Sequence, residues 1–161
     1  MQVHLDYATG SGQRTTVVMD TAGIVAKWQP PAGSKLAALC AAADAAEVAR
    51  QQAAVDLAAA EAELERLTSI AASTAAIDAI VRIDAAGRLP AARSLVDLAQ
   101  RQYAYRQSVE VQAAETLTNA VGGLLALPAR IEHFKRMKEA SAAATWGETW
   151  RHYRADMLEV S

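Results

Sequence analysis

Val3, Leu5 and Tyr7 alternate with Gln2, His4 and Asp6 along the first residues of the chain. A period of two is that of a strand with one buried face. The segment RTTVVMD, residues 14–20, is rich in β-branched side chains that suit a pleated surface. Between them TGSGQ carries two glycines able to take positive φ in a turn. The pattern predicts a β-hairpin over residues 2–20. A lone hairpin is marginal in water, so it must pack on helices or pair with strands of another chain. DTAG, residues 20–23, reads as a second turn and IVAKW as a short third strand. QPPAGS, residues 29–34, breaks either pattern with two prolines and a glycine.

From Lys35 the period changes. No Pro or Gly occurs up to Ala72, and Ala, Leu, Glu, Gln and Arg dominate, the strongest helix formers. Ser34 is placed to cap this helix. Beyond it, Thr74 is expected to cap a short helix that Gly87 stops, and Pro90 to open a third helix running to about Asn119 or on through Leu127. Gly122, Gly123 and Pro128 are expected to weaken or end it, Pro128 to open a fourth, and Gly147 to separate a last short one. The reading is mainly α: an Ala-rich helical bundle with long antiparallel helices, preceded by a small N-terminal β-hairpin. Residues 1–33 form the hairpin and Pro-rich connector and residues 34–161 the bundle, within one structural domain.

Heptads counted from Leu36 place Leu36, Leu39, Ala43, Ala46, Arg50, Ala53, Leu57, Ala60, Leu64, Leu67 and Ala71 on one stripe. All five leucines between residues 36 and 67 lie on it, which is the register of a coiled-coil-like seam. Alanine at such a seam lets two helix axes come close. Val48 and Val55 lie nearly opposite the stripe, awaiting a second partner or simply exposed. Arg50 either sets the register or extends its long stem to solvent. Charge also separates. Residues 36–80 hold seven acids against two arginines, whereas residues 82–106 hold five arginines against two acids. Antiparallel packing of these two segments sets opposite charges side by side.

Composition changes this picture in one respect. Alanine supplies 39 of the apolar residues, leaving 45 larger ones in 161. Burying a Leu or Phe contributes ~1.5–3 kcal/mol and an Ala methyl far less. The core is thin for a monomer, so extra burial through association is expected, with homo-oligomers or a larger assembly as the natural outcome. The alternative is a monomer held by helix propensity and Ala–Leu packing. The net charge of -2 argues against a dedicated nucleic-acid binder, whose footprint is basic. Cys40 is single, so no intrachain disulfide forms, and it reads as a small buried apolar residue. The first residues lack the basic start and apolar run of a cleavable signal. AVGGLLAL, residues 120–127, is too short to span a membrane. A cytoplasmic or virion setting is expected, with no membrane contact.

Candidate chemistry is sparse. Glu148, His152 and Asp156 are spaced to share a helical face, but the paired Glu-x-x-His motifs of helical di-metal sites are missing. No nucleophile elbow or phosphate loop occurs. No catalytic residue, metal or cofactor is therefore assigned, and the chain is read as a non-enzyme. Towards the C-terminus Trp146, Trp150, Arg151, Tyr153 and Arg154 cluster. Aromatics with arginine can stack on single-stranded bases, yet acids interleave and residues 128–161 carry only one excess positive charge. Trp, Tyr and Arg also dominate protein interfaces, so these five are candidate partner contacts. The plainer alternative is that they dock their own helix on the domain.

Two classes of function fit. One is a non-enzymatic structural or assembly subunit working through protein–protein contacts. Its hairpin, with Val3, Leu5, Tyr7 and Val17, would add to a neighbouring sheet edge, and its Leu36, Leu39, Leu57, Leu64 and Leu67 seam would pack within or between copies. In economy the chain is similar in style to small virion components of bacteriophages, such as neck, tail or capsid-associated proteins. The other is a small soluble adaptor, chaperone or inhibitor that binds one client protein.

Overall fold

A computed structural model describes residues 1–8, 12–73 and 78–160. The fold is mainly α, with a two-stranded antiparallel hairpin at its N-terminus. Strand β1 (Gln2–Ala8) pairs with β2 (Arg14–Asp20), Leu5 standing opposite Val17 and Tyr7 opposite Thr15. The expected turn centres on Thr9, Gly10 and Ser11, which lie outside the described residues; Gly12 beside them has φ of 78°, open to glycine at little cost. Alternation does what it promised. Val3 and Leu5 are buried while His4 and Asp6 are exposed.

The third strand expected at IVAKW is instead a helix, α1 (Thr21–Trp28). Asp20 decides this. Its carboxylate accepts from the Gly23 amide at 2.6 Å, satisfying one of the open N–H groups of the first turn. At the other end Gln29 takes a left-handed conformation, φ 44°, and its amide closes on Val25 O at 2.8 Å. Ile24 and Val25 are β-branched, but the cap and the burial of Ile24 outweigh their modest strand preference.

Helix α2 (Lys35–Ala72) has the expected limits. Ser34 is buried and its Oγ accepts from Ala37 N at 3.4 Å. The Thr74 cap expected for a short helix beyond α2 lies outside the described residues. In place of that short helix and a separate third one, a single helix, α3 (Ala79–Arg136), extends over 58 residues. It passes through Gly87, Pro90, Gly122, Gly123 and Pro128, where the sequence pattern put breaks. A mid-helix proline loses one hydrogen bond and costs about 3 kcal/mol. Packing on both sides of each proline holds the helix together: Leu89 and Ala92 flank Pro90, while Leu124 and its buried neighbours precede Pro128 and Arg130 beyond it lies over the Trp146 ring. The break comes at residues 137–139, which contain no Gly or Pro. Lys138 has φ of 60°. Its amide reaches Lys135 O at 3.1 Å and that of Glu139 reaches Phe134 O at 3.0 Å, the two bonds of a Schellman end. Helix α4 (Ala140–Leu158) then runs uninterrupted through Gly147.

The chain divides into two compact units. Unit 1 is Met1–Ala46 with Glu110–Ser161 and unit 2 is Glu47–Val109, so the division falls inside α2 and α3 and the hairpin shares unit 1 with helices. The core of unit 1 joins Val3 and Leu5 of the hairpin, Ile24 of α1, Leu36, Cys40 and Ala43 of α2, Leu117, Val121 and Leu124 of α3, and Met157 of α4. Lys35 Nζ lies 2.7 Å from Asp156 Oδ2, tying the start of α2 to α4. Unit 2 is an antiparallel pair, the later part of α2 against the first part of α3. Its core is Leu67, Ala85 and Ala92, edged by Leu64, Ile70, Ala71 and Leu89.

Candidate interaction surfaces

Every position of the heptad stripe in α2 is buried or half-buried. Leu36 and Leu39 pack in unit 1, against the core that Leu117 and Val121 share. Leu64 and Leu67 pack in unit 2 beside Ala85 and Ala92, and Leu57 is half-buried there. In both units, therefore, helices of the same chain cover the stripe. Across unit 2, Arg88 Nη2 lies 3.4 Å from Glu63 Oε1. This pair is exposed and contributes little stability; it marks the antiparallel register. Arg66 hydrogen-bonds the same carboxylate at 2.7 Å, holding the Glu63 carboxyl below its ordinary range with smaller help from Arg88.

Unit 2 leaves a second apolar face uncovered. Ile80 and Ile83 are each 73% exposed, Leu95 59%, Leu98 51% and Tyr105 63%. Successive spacings are 3, 12, 3 and 7 residues, which at 3.6 residues per turn keep all five within an arc of about 120° on one side of α3. The buried Ala85, Ala92, Val96 and Ala99 lie on the other side. On α2 the side away from the seam carries Val48 and Val55, 64% and 62% exposed. A cavity of about 340 Å³ opens at the rim of the seam, lined by Ala53 and Asp56 of α2 and by Tyr105 and Arg106 of α3, so Tyr105 stands where the outer stripe meets that rim.

In unit 1 the α4 cluster splits. Trp150 and Tyr153 pack against the core. The Tyr153 hydroxyl donates to Ala120 O at 2.9 Å, and burial pushes its phenol above the ordinary range, with a smaller opposing pull from Lys35. Trp146 is half-buried beneath the Arg130 guanidinium, 4.4 Å from the ring centroid, a cation–π contact that joins α3 to α4. Arg151 and Arg154 are exposed. Gly123 owes its place to Tyr153, because a Cβ there would sit 2.5 Å from the ring. At Gly122 a Cβ would meet nothing within 4 Å, so that glycine opens space instead.

That space belongs to a groove along β1. One cavity of about 510 Å³ is walled by Leu5, Asp6 and Tyr7 on the strand side and by Thr118, Gly122, Ala126 and Arg130 on α3. A second, about 570 Å³, continues it past Gln2, Val3 and His4, opposite Ala114 and Thr118. Thr118 and Asn119 wall both. Residues of β1 line the groove and residues of β2 do not, so it follows the edge of β1 that faces away from its partner. Of the candidate strand residues, Val3 and Leu5 are buried in the core, and Tyr7 and Val17 are half-buried. What an added strand would meet is this edge. The sequence held one sign of it, the small residues Ala114, Thr118, Gly122 and Ala126 at intervals of four.

Among the described residues no group of three or more His, Cys, Asp or Glu is placed to hold a metal ion. Asp156 is engaged by Lys35, and Glu148 and His152 are exposed. The Cys40 thiol is buried and pushed upward, first by that burial and then by Asp44. No helix among the described residues is long and apolar enough to cross a membrane. Searches with protein-family models, among curated proteins and among solved structures find no match to this chain.

Proposed function

We propose that this chain is a non-enzymatic assembly subunit, and that unit 2 packs against a second copy through the outer stripe of α3. The observation that supports this is the exposed row of Ile80, Ile83, Leu95, Leu98 and Tyr105 on a two-helix unit whose internal seam, among the described residues, buries Ala53, Ala85, Ala92 and Ala99 with only Leu67 and Val96 larger. Such a seam removes little apolar area from water, and apolar area is what stabilises a helix pair beyond propensity. Covering the outer stripe supplies the missing burial. A second copy suits the stripe by charge. Residues 79–109 hold five arginines and two acids, and residues 47–72 hold five acids and two arginines. Two units side by side set the α3 of one against the α2 of the other with opposite signs, which selects the pairing more than it strengthens it.

Light scattering over a range of concentrations tests this. The wild-type chain is expected above the monomer mass of 17.1 kDa, and Leu98→Glu is expected to lower the mass while helical circular dichroism is retained. A monomer at every concentration overturns self-assembly. The stripe would then belong to a client of different sequence, as in an adaptor, chaperone or inhibitor.

A further inference from the structure

We propose that β1 is a second self-association edge, at which the β1 strands of two copies pair antiparallel about Leu5 and join two hairpins into one four-stranded sheet. The proposal rests on the assembly reading above and specifies another surface for it. The sheet has only two strands among the described residues, in the order β1-β2. The far edge of β1 is therefore a template of main-chain donors and acceptors. It carries no Pro or Lys to discourage pairing. Beside it runs the groove, as long as the strand itself, from Gln2 to Tyr7. Its opposite wall is lowered by small residues at intervals of one helical turn, Ala114, Thr118, Gly122 and Ala126. The open space at Gly122 is part of that lowering.

The strand names its own occupant. Antiparallel pairing centred on Leu5 sets His4 opposite Asp6 of the other copy, twice, and Val3 opposite Tyr7, twice. His4 and Asp6 are exposed on the outer face, where Asp6 already accepts from Thr16 Oγ1 at 2.6 Å, and each finds a further hydrogen-bonding partner in the other copy. Val3 and Tyr7 meet on the core face. A slip of one residue turns apolar side chains outward. A slip of two one way places Asp6 opposite its own copy, and like charges directly opposite are destabilising; a slip of two the other way sets Asp6 against Gln2 and loses its pairing with His4. The Leu5-centred register also uses the full strand, Gln2–Ala8. The contact is isologous, as a two-fold dimer requires. Combined with the separate stripe on unit 2, it gives each chain two self-contacts, enough to propagate an assembly.

Cysteine pairing reads the register. In a Cys40→Ala background, His4→Cys and Asp6→Cys chains are made separately, one of them tagged, then mixed and mildly oxidised. Directly opposed residues bring their Cα atoms within disulfide range, whereas same-site pairs sit on a diagonal of ~7–8 Å, beyond it. The expected result is a bridged species of twice the chain mass that contains one chain of each kind, with little homodimer from either alone. Both positions are exposed, so circular dichroism is expected to be unchanged. The same bridge is expected to form when both chains also carry Leu98→Glu, because that variant alters unit 2. Absence of the mixed bridge, while light scattering still shows the wild-type chain to be oligomeric, overturns edge pairing and leaves the assembly reading standing. A wild-type chain that is monomeric throughout overturns both.

Discussion

Units 1 and 2 share the two long helices, unit 1 adds the hairpin, α1 and α4, and the two differ in what their elements bury. In unit 1 the helices close over Leu5, Ile24, Leu36, Leu117 and Val121, all almost wholly buried. In unit 2 they close over Ala85, Ala92 and Ala99, with Leu67 and Val96 the larger members. Each large side chain contributes ~1.5–3 kcal/mol on burial, so unit 1 has an internal core of the ordinary kind. Unit 2 relies on helix propensity, a close Ala seam and cover from outside. The contrast teaches that helicity and burial are separable. The same α2 that is uniformly helical from Lys35 to Ala72 passes from a packed core to a surface with apolar side chains on both its seam and its outer face.

The contrast breaks or holds on substitutions. Leu117→Ala is expected to cost about 2–5 kcal/mol through lost transfer energy and a cavity, unfolding unit 1 at markedly lower denaturant. Val96→Ala in unit 2 is expected to cost only ~1–2 kcal/mol, from the methyl groups removed. Equal losses in denaturant titrations would erase the distinction between the units. Next in size, Gly123→Ala drives a methyl into the Tyr153 ring and is expected to cost ~1–3 kcal/mol, as overpacking does. Its neighbour Gly122→Ala, with open space around it, is expected to gain ~0.5–1 kcal/mol from helix propensity. If thermal unfolding moves in the same direction for both, the packing of α4 on α3 is other than described. Lys138→Gly removes a left-handed Lys from the Schellman end of α3 and is expected to stabilise unit 1 by up to ~1 kcal/mol.

The smallest effect is on pH. The Cys40 thiol and Tyr153 phenol, both in unit 1, are held above their ordinary values of 9.0 and 10.0 mainly by burial. Their folded values exceed the unfolded ones, so folding favours the protonated forms. That contribution is complete below about pH 9 and is lost as pH rises through the unfolded and then the folded values. Amide exchange is therefore expected to show unit 1 loosening in mild alkali, with no matching change in unit 2 from these groups.

The parts legible in the sequence are those where one local signal acts alone. The alternation of Val3, Leu5 and Tyr7 located β1, and Ser34 with the Pro- and Gly-free run located both ends of α2. Where signals compete, the stronger physics lay outside the segment. Ile24 and Val25 favour a strand, but Asp20 caps a helix. Gly87, Pro90, Gly122, Gly123 and Pro128 disfavour a helix one residue at a time, yet packing on either side carries α3 through them. The true end of α3 at Lys138 has no residue of the usual kind to announce it. The division into units was hidden because it falls inside two continuous helices. In the α4 cluster, spacing put Trp146 and Trp150 on one face, but only the fold separates Trp150 and Tyr153, which dock on the core, from Trp146, which lies under Arg130.

The central claim is that the outer face of unit 2 is completed by another copy of the chain. Amide hydrogen exchange over residues 47–109, measured at two widely separated protein concentrations, tests it most directly. Protection of these residues is expected to rise with concentration and to fall back in Leu98→Glu, while the core amides of unit 1 at Leu36 and Leu117 keep the larger part of theirs. Protection of residues 47–109 that is high, independent of concentration and unaffected by Leu98→Glu would contradict it.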